Sequence, residues 1–164
     1  MKYRIALDCD DVLNNLNEVV CKVFNEENGT DITEDTFTSY DIYKCLPFED
    51  AEKYAALWRR EEIWRSLTPI YHSQWGAKKL VDDGFDVFIT TATHWENFPW
   101  KVKWLKRYFP FIDESHIICV RDKSILDVDV MIDDNLDNLI GNIRCNRVLL
   151  EKPWNKDAHD EVYG

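Results

Sequence analysis

Positive charge is scarce in this chain of 164 residues: 20 lysines and arginines stand against 31 acids, a formal net charge of −11. So acidic a chain offers no basic face to wrap a nucleic-acid backbone or hold an anionic membrane surface. Neither a nucleic acid polymer nor a membrane is expected as a partner. A small phosphorylated substrate stays open, because a metal and a few cations reverse the field locally. Long apolar runs are lacking too; none approaches the roughly 20 residues that span a bilayer, and none follows a basic start. The five cysteines (Cys9, Cys21, Cys45, Cys119, Cys145) are odd in number, scattered and without zinc-ligand spacing. That is the usage of a reducing compartment. Internal repeats and low-complexity stretches are absent as well. A soluble cytoplasmic protein is expected.

What the chain does have is apolar substance: 45% hydrophobic residues, with seven Trp, eight Phe and seven Tyr. At this length that suffices for one domain with a real core and a small insertion. Tyr3-Arg4-Ile5-Ala6-Leu7 reads as a strand. Leu16, Val19, Val20, Val23 and Phe24 recur at helical spacing, from a start near Asn14 and Asn15 to a stop at Gly29. Residues Asp31 to Leu46 show no period. Pro47 leads a helix in which Tyr54, Leu57 and Trp58 share a face, and Trp75, Leu80 and Val81 mark another that closes at Gly84. Phe85 to Thr90 is a strand. Pro99 opens a helix carrying Val102, Leu105 and Phe109, whose Lys101, Lys103, Lys106 and Arg107 read as a solvated face. Ile117–Val120, Val128–Ile132 and Arg147–Leu150 complete the strands. Alternating strands and helices imply crossover connections, hence an α/β fold with a doubly wound parallel sheet. Residues 14–73 break this rhythm and are expected to form a small helical cap inserted after the first strand. The catalytic core is then 1–13 and 74–164.

Two clusters of acids carry the chemistry. The first strand runs straight into Asp8-Cys9-Asp10-Asp11, and the strand ending at Ile132 runs into Asp133-Asp134-Asn135. Crowded carboxylates at the mouth of a buried strand repel one another and are poorly solvated, which disfavours their ionisation. A divalent cation among the oxygens relieves that, and hard oxygen ligands favour Mg²⁺. In an open parallel sheet ligands bind beyond the carboxyl ends of the strands. Three such ends are polar here: Asp8/Asp10, Thr90-Thr91 and Asp133/Asp134, with Lys123 close enough in sequence to enter the same crevice. A carboxylate nucleophile, a second carboxyl two residues on, a hydroxyl, a lysine and a metal-binding pair suit phosphoryl transfer. That reaction is run mostly by positioning and charge stabilisation.

Asp8-Cys9-Asp10-Asp11-Val12, Phe88-Ile89-Thr90-Thr91, Arg121-Asp122-Lys123 and Met131-Ile132-Asp133-Asp134-Asn135 match, in order, the four motifs of the haloacid dehalogenase (HAD) superfamily. Within it the chain resembles the 5′(3′)-deoxyribonucleotidase family, the cytosolic type C pyrimidine 5′-nucleotidases, over nearly its whole length. The resemblance implies a Rossmann-like core and a Mg²⁺-dependent phosphomonoesterase acting on nucleoside monophosphates, deoxy forms preferred. It implies that Asp8 is the nucleophile, that Asp10 is the proton shuttle, that Thr91 binds a phosphoryl oxygen and that Lys123 balances charge. Mg²⁺ would be held by Asp8, the backbone carbonyl of Asp10 and the acidic pair, with Asp134 the direct ligand and Asp133 behind it. Tyr40, Trp58 and Trp64 of the cap would hold the base. Two positions depart from the vertebrate pattern: Ala92 replaces a serine that contacts phosphate or sugar, and Asp11 replaces a glycine.

Each residue also has a plainer reading. The acid pairs alone are solvated loop carboxylates, Thr91 an ordinary strand or cap residue, and Lys123 a surface lysine; together they make a site. Trp58, Trp64 and Tyr40 fit a core as well as a stacking platform. His94 reads as an exposed helix-start histidine, and the strand pleat turns Cys9 away from its neighbours into the core. Other phosphate esters, of sugars or cofactors, remain alternative substrates. A phospho-accepting receiver domain would place its lysine after the second acidic pair, and a silent binding module would lack a motif residue. Neither pattern is present.

Overall fold

Five short apolar segments pair side by side to form the centre of the molecule. In the computed structural model, which describes residues 2–158, they are β1 (Arg4–Asp8), β2 (Asp86–Thr91), β3 (Ile117–Cys119), β4 (Val130–Asp133) and β5 (Asn146–Leu149). All neighbours are parallel, in the order β3-β2-β1-β4-β5. Ile5, Ala6 and Leu7 of β1 are buried, as a strand covered on both faces requires. Leu7 registers with Ile89 on one side and Ile132 on the other, and Asp8 with Thr90. The chain builds outward from β1 through β2 to β3, then returns to β4 on the opposite flank. That reversal opens a crevice at the carboxyl ends of β1 and β4.

The helices are α1 (Leu16–Asn28), α2 (Phe48–Leu57), α3 (Glu61–Ser66), α4 (Ser73–Asp82), α5 (Phe98–Tyr108) and α6 (Leu136–Gly141). Gly29 ends α1 in the left-handed region, φ 67°, with its N–H donating to Asn25 O. Between α1 and α2 lie two single turns, Glu34–Thr36 and Ile42–Lys44, where no period is readable. Helices α3 and α6, six residues each, are too short to leave one either. On α4 the residue facing the sheet is Ala77, and Trp75 lies in solvent.

One apolar cluster runs without a break from Ile5, Leu7 and Ile89 through Val20 and Phe24 of α1 to Tyr54, Leu57 and Ile63. The segment just before α1 is pinned to the one just after α3. Ile70 N donates to Leu13 O at 2.9 Å, and Thr68 N donates to Asn15 Oδ1 at 2.8 Å. Among the described residues no helix is long and apolar enough to cross a membrane.

Candidate active site

The carboxyl end of β1 delivers Asp8, and the end of β4 delivers Asp133. Between them stands Lys123, carried by a turn (Lys123–Ile125) that follows β3 and is capped by Asp122, which accepts from Ser124 N at 3.0 Å. Asn142 holds the same turn by donating to Lys123 O at 3.2 Å and Leu126 O at 2.9 Å. The ammonium group, almost fully buried, donates to Asp8 Oδ1 and, at 2.7 Å, to Asp133 Oδ2. Burial opposes its charge, but Asp8 and Asp133 outweigh that and hold the lysine above its ordinary pKa. Asp8 is pushed up, chiefly by burial and further by Asp133 and Asp10, against the pull of Lys123. Asp133 is saturated: beyond Lys123 it accepts from Asn135 N at 2.9 Å and from Asn138 Nδ2.

Asp10 lies just past the strand and is gripped from two sides. Asn14 Nδ2 donates to its Oδ1 at 3.0 Å, and Lys101 donates to its Oδ2. Here the expectation of a solvated Lys101 is wrong. Only Lys103, Lys106 and Arg107 of that set are exposed; Lys101 is 1% exposed and shares the buried face of α5 with Trp104 and Leu105. Its charge is kept because Asp10 faces it, overcoming the cost of burial, and its pKa is raised. Lys101 Nζ also donates to Thr91 Oγ1 at 2.6 Å and sits 5.0 Å from the centre of the Trp64 ring. The buried Thr91 is therefore tied to Asp10 through one lysine.

Asp11 explains its own departure from glycine. Its backbone is left-handed, φ 56°, a region that aspartate tolerates better than most side chains. Its Oδ1 accepts the N–H of Asn17 in the first turn of α1 at 2.9 Å. Burial pushes this carboxyl up to about 8. Cys9 is fully buried, as the pleat requires.

Above these groups opens a cavity of about 400 Å³, within the range of small-molecule sites. Asp8, Asp10, Asp133 and Asp134 line one part of it; Phe37, Tyr40, Trp58, Trp64 and Trp154 line much of the rest. Ala92 and an exposed His94 lie on its wall with Arg121. Trp64 is buried and Trp58 half-buried, with Trp64 Nε1 donating to Trp58 O at 3.0 Å. Both therefore belong to the core and to the cavity wall at once.

The same end of the sheet fits a divalent cation. One oxygen each of Asp8, Asp134 and the saturated Asp133 lie within 4.8 Å of one another. Asp134 is raised well above the carboxylate range by burial first, then by Asp8, Asp11 and Asp133. Asp8 and Asp133 pair with Lys123 and Asp10 with Lys101, while Asp134 is flanked by the acids Asp8, Asp11 and Asp133. An all-oxygen donor set with surplus negative charge is what a hard cation selects.

Residues 2–163 match the family described as 5′ nucleotidase, deoxy (Pyrimidine), cytosolic type C protein. The chain belongs to this family. It is accordingly a phosphoric monoester hydrolase of the 5′-nucleotidase type. It is 30% identical over 160 residues to the 5′(3′)-deoxyribonucleotidase of Bacillus subtilis (strain 168), covering 97% of this chain and 91% of that one. It is 28% identical over 158 residues to the 5′(3′)-deoxyribonucleotidase of Clostridium acetobutylicum, covering 96% and 87%. Among solved structures, a HAD family hydrolase from Deinococcus radiodurans R1 superposes with a TM-score of 0.63 at 12% identity, covering 98% of this chain and 88% of that one. That likeness bears on the fold alone, and the fold is HAD-like.

For this family member the four motif segments converge at one sheet end. Reading the sequence alone misses three residues that converge with them: Lys101, Asn14 and Trp154. For Lys101 a signal existed, since it precedes Trp104, Leu105 and Tyr108 by three, four and seven residues. For Asn14 and Trp154 no local pattern announces a contact that only the tertiary fold creates.

Proposed function

We propose that this chain is a Mg²⁺-dependent phosphomonoesterase that dephosphorylates deoxynucleoside monophosphates in the cytoplasm through an aspartyl-phosphate intermediate. One observation carries the reading: the buried Asp8–Lys123–Asp133 cluster borders a cavity walled elsewhere by aromatic side chains. Relatives named 5′(3′)-deoxyribonucleotidase support the substrate class, and five free cysteines support the compartment. Residues 14–73 serve as the cap and 1–13 with 74–164 as the catalytic core, a division supported by the pinned connections at Leu13/Ile70 and Asn15/Thr68.

In the first step a carboxylate oxygen of Asp8 attacks phosphorus while the bond from phosphorus to the ester oxygen breaks. Asp10, protonated in the substrate complex, gives that proton to the departing alkoxide, and the nucleoside leaves. In the second, a water oxygen attacks phosphorus, its proton passes to Asp10, and the bond to Asp8 breaks, releasing inorganic phosphate. Lys123 balances charge on Asp8 and on the phosphoryl group. Thr91 Oγ1 accepts from Lys101, and its own hydrogen would bond a phosphoryl oxygen. Asp8, Asp134 and the backbone carbonyl of Asp10 would hold Mg²⁺, with Asp133 fixed behind them by Lys123 and Asn138. When bound, the cation neutralises phosphoryl charge. Tyr40, Trp58, Trp64 and Ala92 face the nucleoside.

Phosphate release across deoxynucleotides, ribonucleotides, sugar phosphates and an aryl phosphate, with Mg²⁺ or with chelator, tests this. The highest kcat/KM is expected on a deoxynucleotide, with no release in chelator. A sugar or cofactor phosphate turned over best would overturn the nucleotide reading and leave the reaction class standing. Full activity in chelator would overturn the metal reading.

A further inference from the structure

The segment after β5 belongs to none of the four motifs, yet it closes on the acidic pair. Its turn, Pro153–Ala158, is stitched to the loop after β4 by Asn155. The Asn155 amide is buried; it donates to Asp134 O at 2.8 Å and to Leu150 O at 2.9 Å, and accepts from Lys152 N at 2.8 Å. From this anchored turn Trp154 Nε1 donates to Asp134 Oδ2 at 2.9 Å. On its other side the turn lies against the insertion, where Lys156 Nζ comes within 3.8 Å of Asp35 Oδ1.

The two adjacent acids are thus treated differently. Asp133 spends both oxygens on Lys123, Asn135 and Asn138. Among the described residues, the one hydrogen bond that the Asp134 carboxylate accepts comes from Trp154. An indole N–H can only donate, so it fixes one oxygen as an acceptor and sets the rotation of the carboxylate. The other oxygen is left for the cluster with Asp8 and Asp133, whose donor atoms lie within 4.8 Å.

We propose that Trp154 is a positioning residue for the divalent cation, its indole N–H orienting Asp134 toward the Asp8/Asp133 cluster from a turn anchored by Asn155. This rests on the metal reading above. Losing such a contact behind a ligand costs roughly 10–100-fold in metal affinity.

Calorimetric titration of the full chain with Mg²⁺, without nucleotide, provides the test. Trp154→Phe keeps a ring and removes the donor; Trp154→Gln removes the ring and keeps a donor. The Phe variant should bind Mg²⁺ about 10-fold or more weakly, and the Gln variant should lie closer to wild type. Should Trp154→Phe melt well below wild type without metal, Trp154→Gln is compared with Trp154→Leu on the same grounds. Unchanged affinity in the donor-less variant, or equal losses with and without a donor, would overturn the proposal. A wild-type chain that binds no Mg²⁺ would instead overturn the metal reading and this proposal with it.

Discussion

Asp10 sits between two donors, Asn14 on Oδ1 and Lys101 on Oδ2, so its carboxyl is oriented before any substrate arrives. If it is the proton shuttle, its loss should matter most where the leaving group most needs a proton. Asp10→Asn should therefore slow a nucleotide, with its alkoxide leaving group, far more than an aryl phosphate; equal losses in kcat on the two would mark Asp10 as scaffold. Lys101 makes the reciprocal case. Removing one member of a buried ion pair costs about 3–5 kcal/mol, and the remaining exposure of Asp10 moves the expectation to the lower end of that range. Chemical denaturation of Lys101→Met should show that loss, and unchanged stability would refute the importance of the pair. Asp8 and Asp133 each stand directly after a predicted strand, and the fold brings Lys123, which has no such local mark, between them. Lys101 carried a local signal of burial in its spacing to Trp104, Leu105 and Tyr108, but the carboxylate that it meets lies far away in sequence, so its partner was not legible.

At the scale of elements, Trp58 and Trp64, from the stretch 14–73, wall the cavity. Trp58 is the cleaner probe of base stacking, since Trp64 also supports Lys101 and donates to Trp58 O. Stacking of a base on an aromatic ring is worth about 1–3 kcal/mol. Trp58→Ala should raise KM for a deoxynucleotide about tenfold and leave a base-free ester nearly unchanged; equal losses on both would assign the tryptophan to the core alone. The strands and longer helices were readable to within a residue or two, because period and caps are local properties. Thus Gly29 and Pro47 bound their helices as expected. Helices α3 and α6 escaped notice, each being less than two turns long. The order of the strands was not readable, since neither flank of β1 is distinguished by its own residues.

For the molecule as a whole, the buried acids make stability depend on pH. Asp11 titrates near 3.8 when unperturbed and at about 8 in the fold. Between those values the folded state holds a proton that the unfolded chain has released. Unfolding thus releases a proton, and stability falls as pH rises through that window, levelling off on either side. Relative to Asp11→Asn, the metal-free wild type should lose melting temperature from about pH 4 to about pH 8; parallel curves would contradict this. Asp8 and Asp134, also raised, add to the same trend, so Mg²⁺ should raise the melting temperature more at pH 8 than at pH 5.

Covalent catalysis would begin at Asp8. Its most direct measurement is phosphate release from a deoxynucleoside monophosphate in Mg²⁺ by wild type and by Asp8→Asn, a swap that keeps shape and relieves repulsion among the acids. The variant should fold as wild type does by circular dichroism, and its kcat should fall by at least about a hundredfold, because an amide cannot form the bond to phosphorus. A folded Asp8→Asn that keeps more than about a tenth of wild-type turnover would contradict covalent catalysis through Asp8.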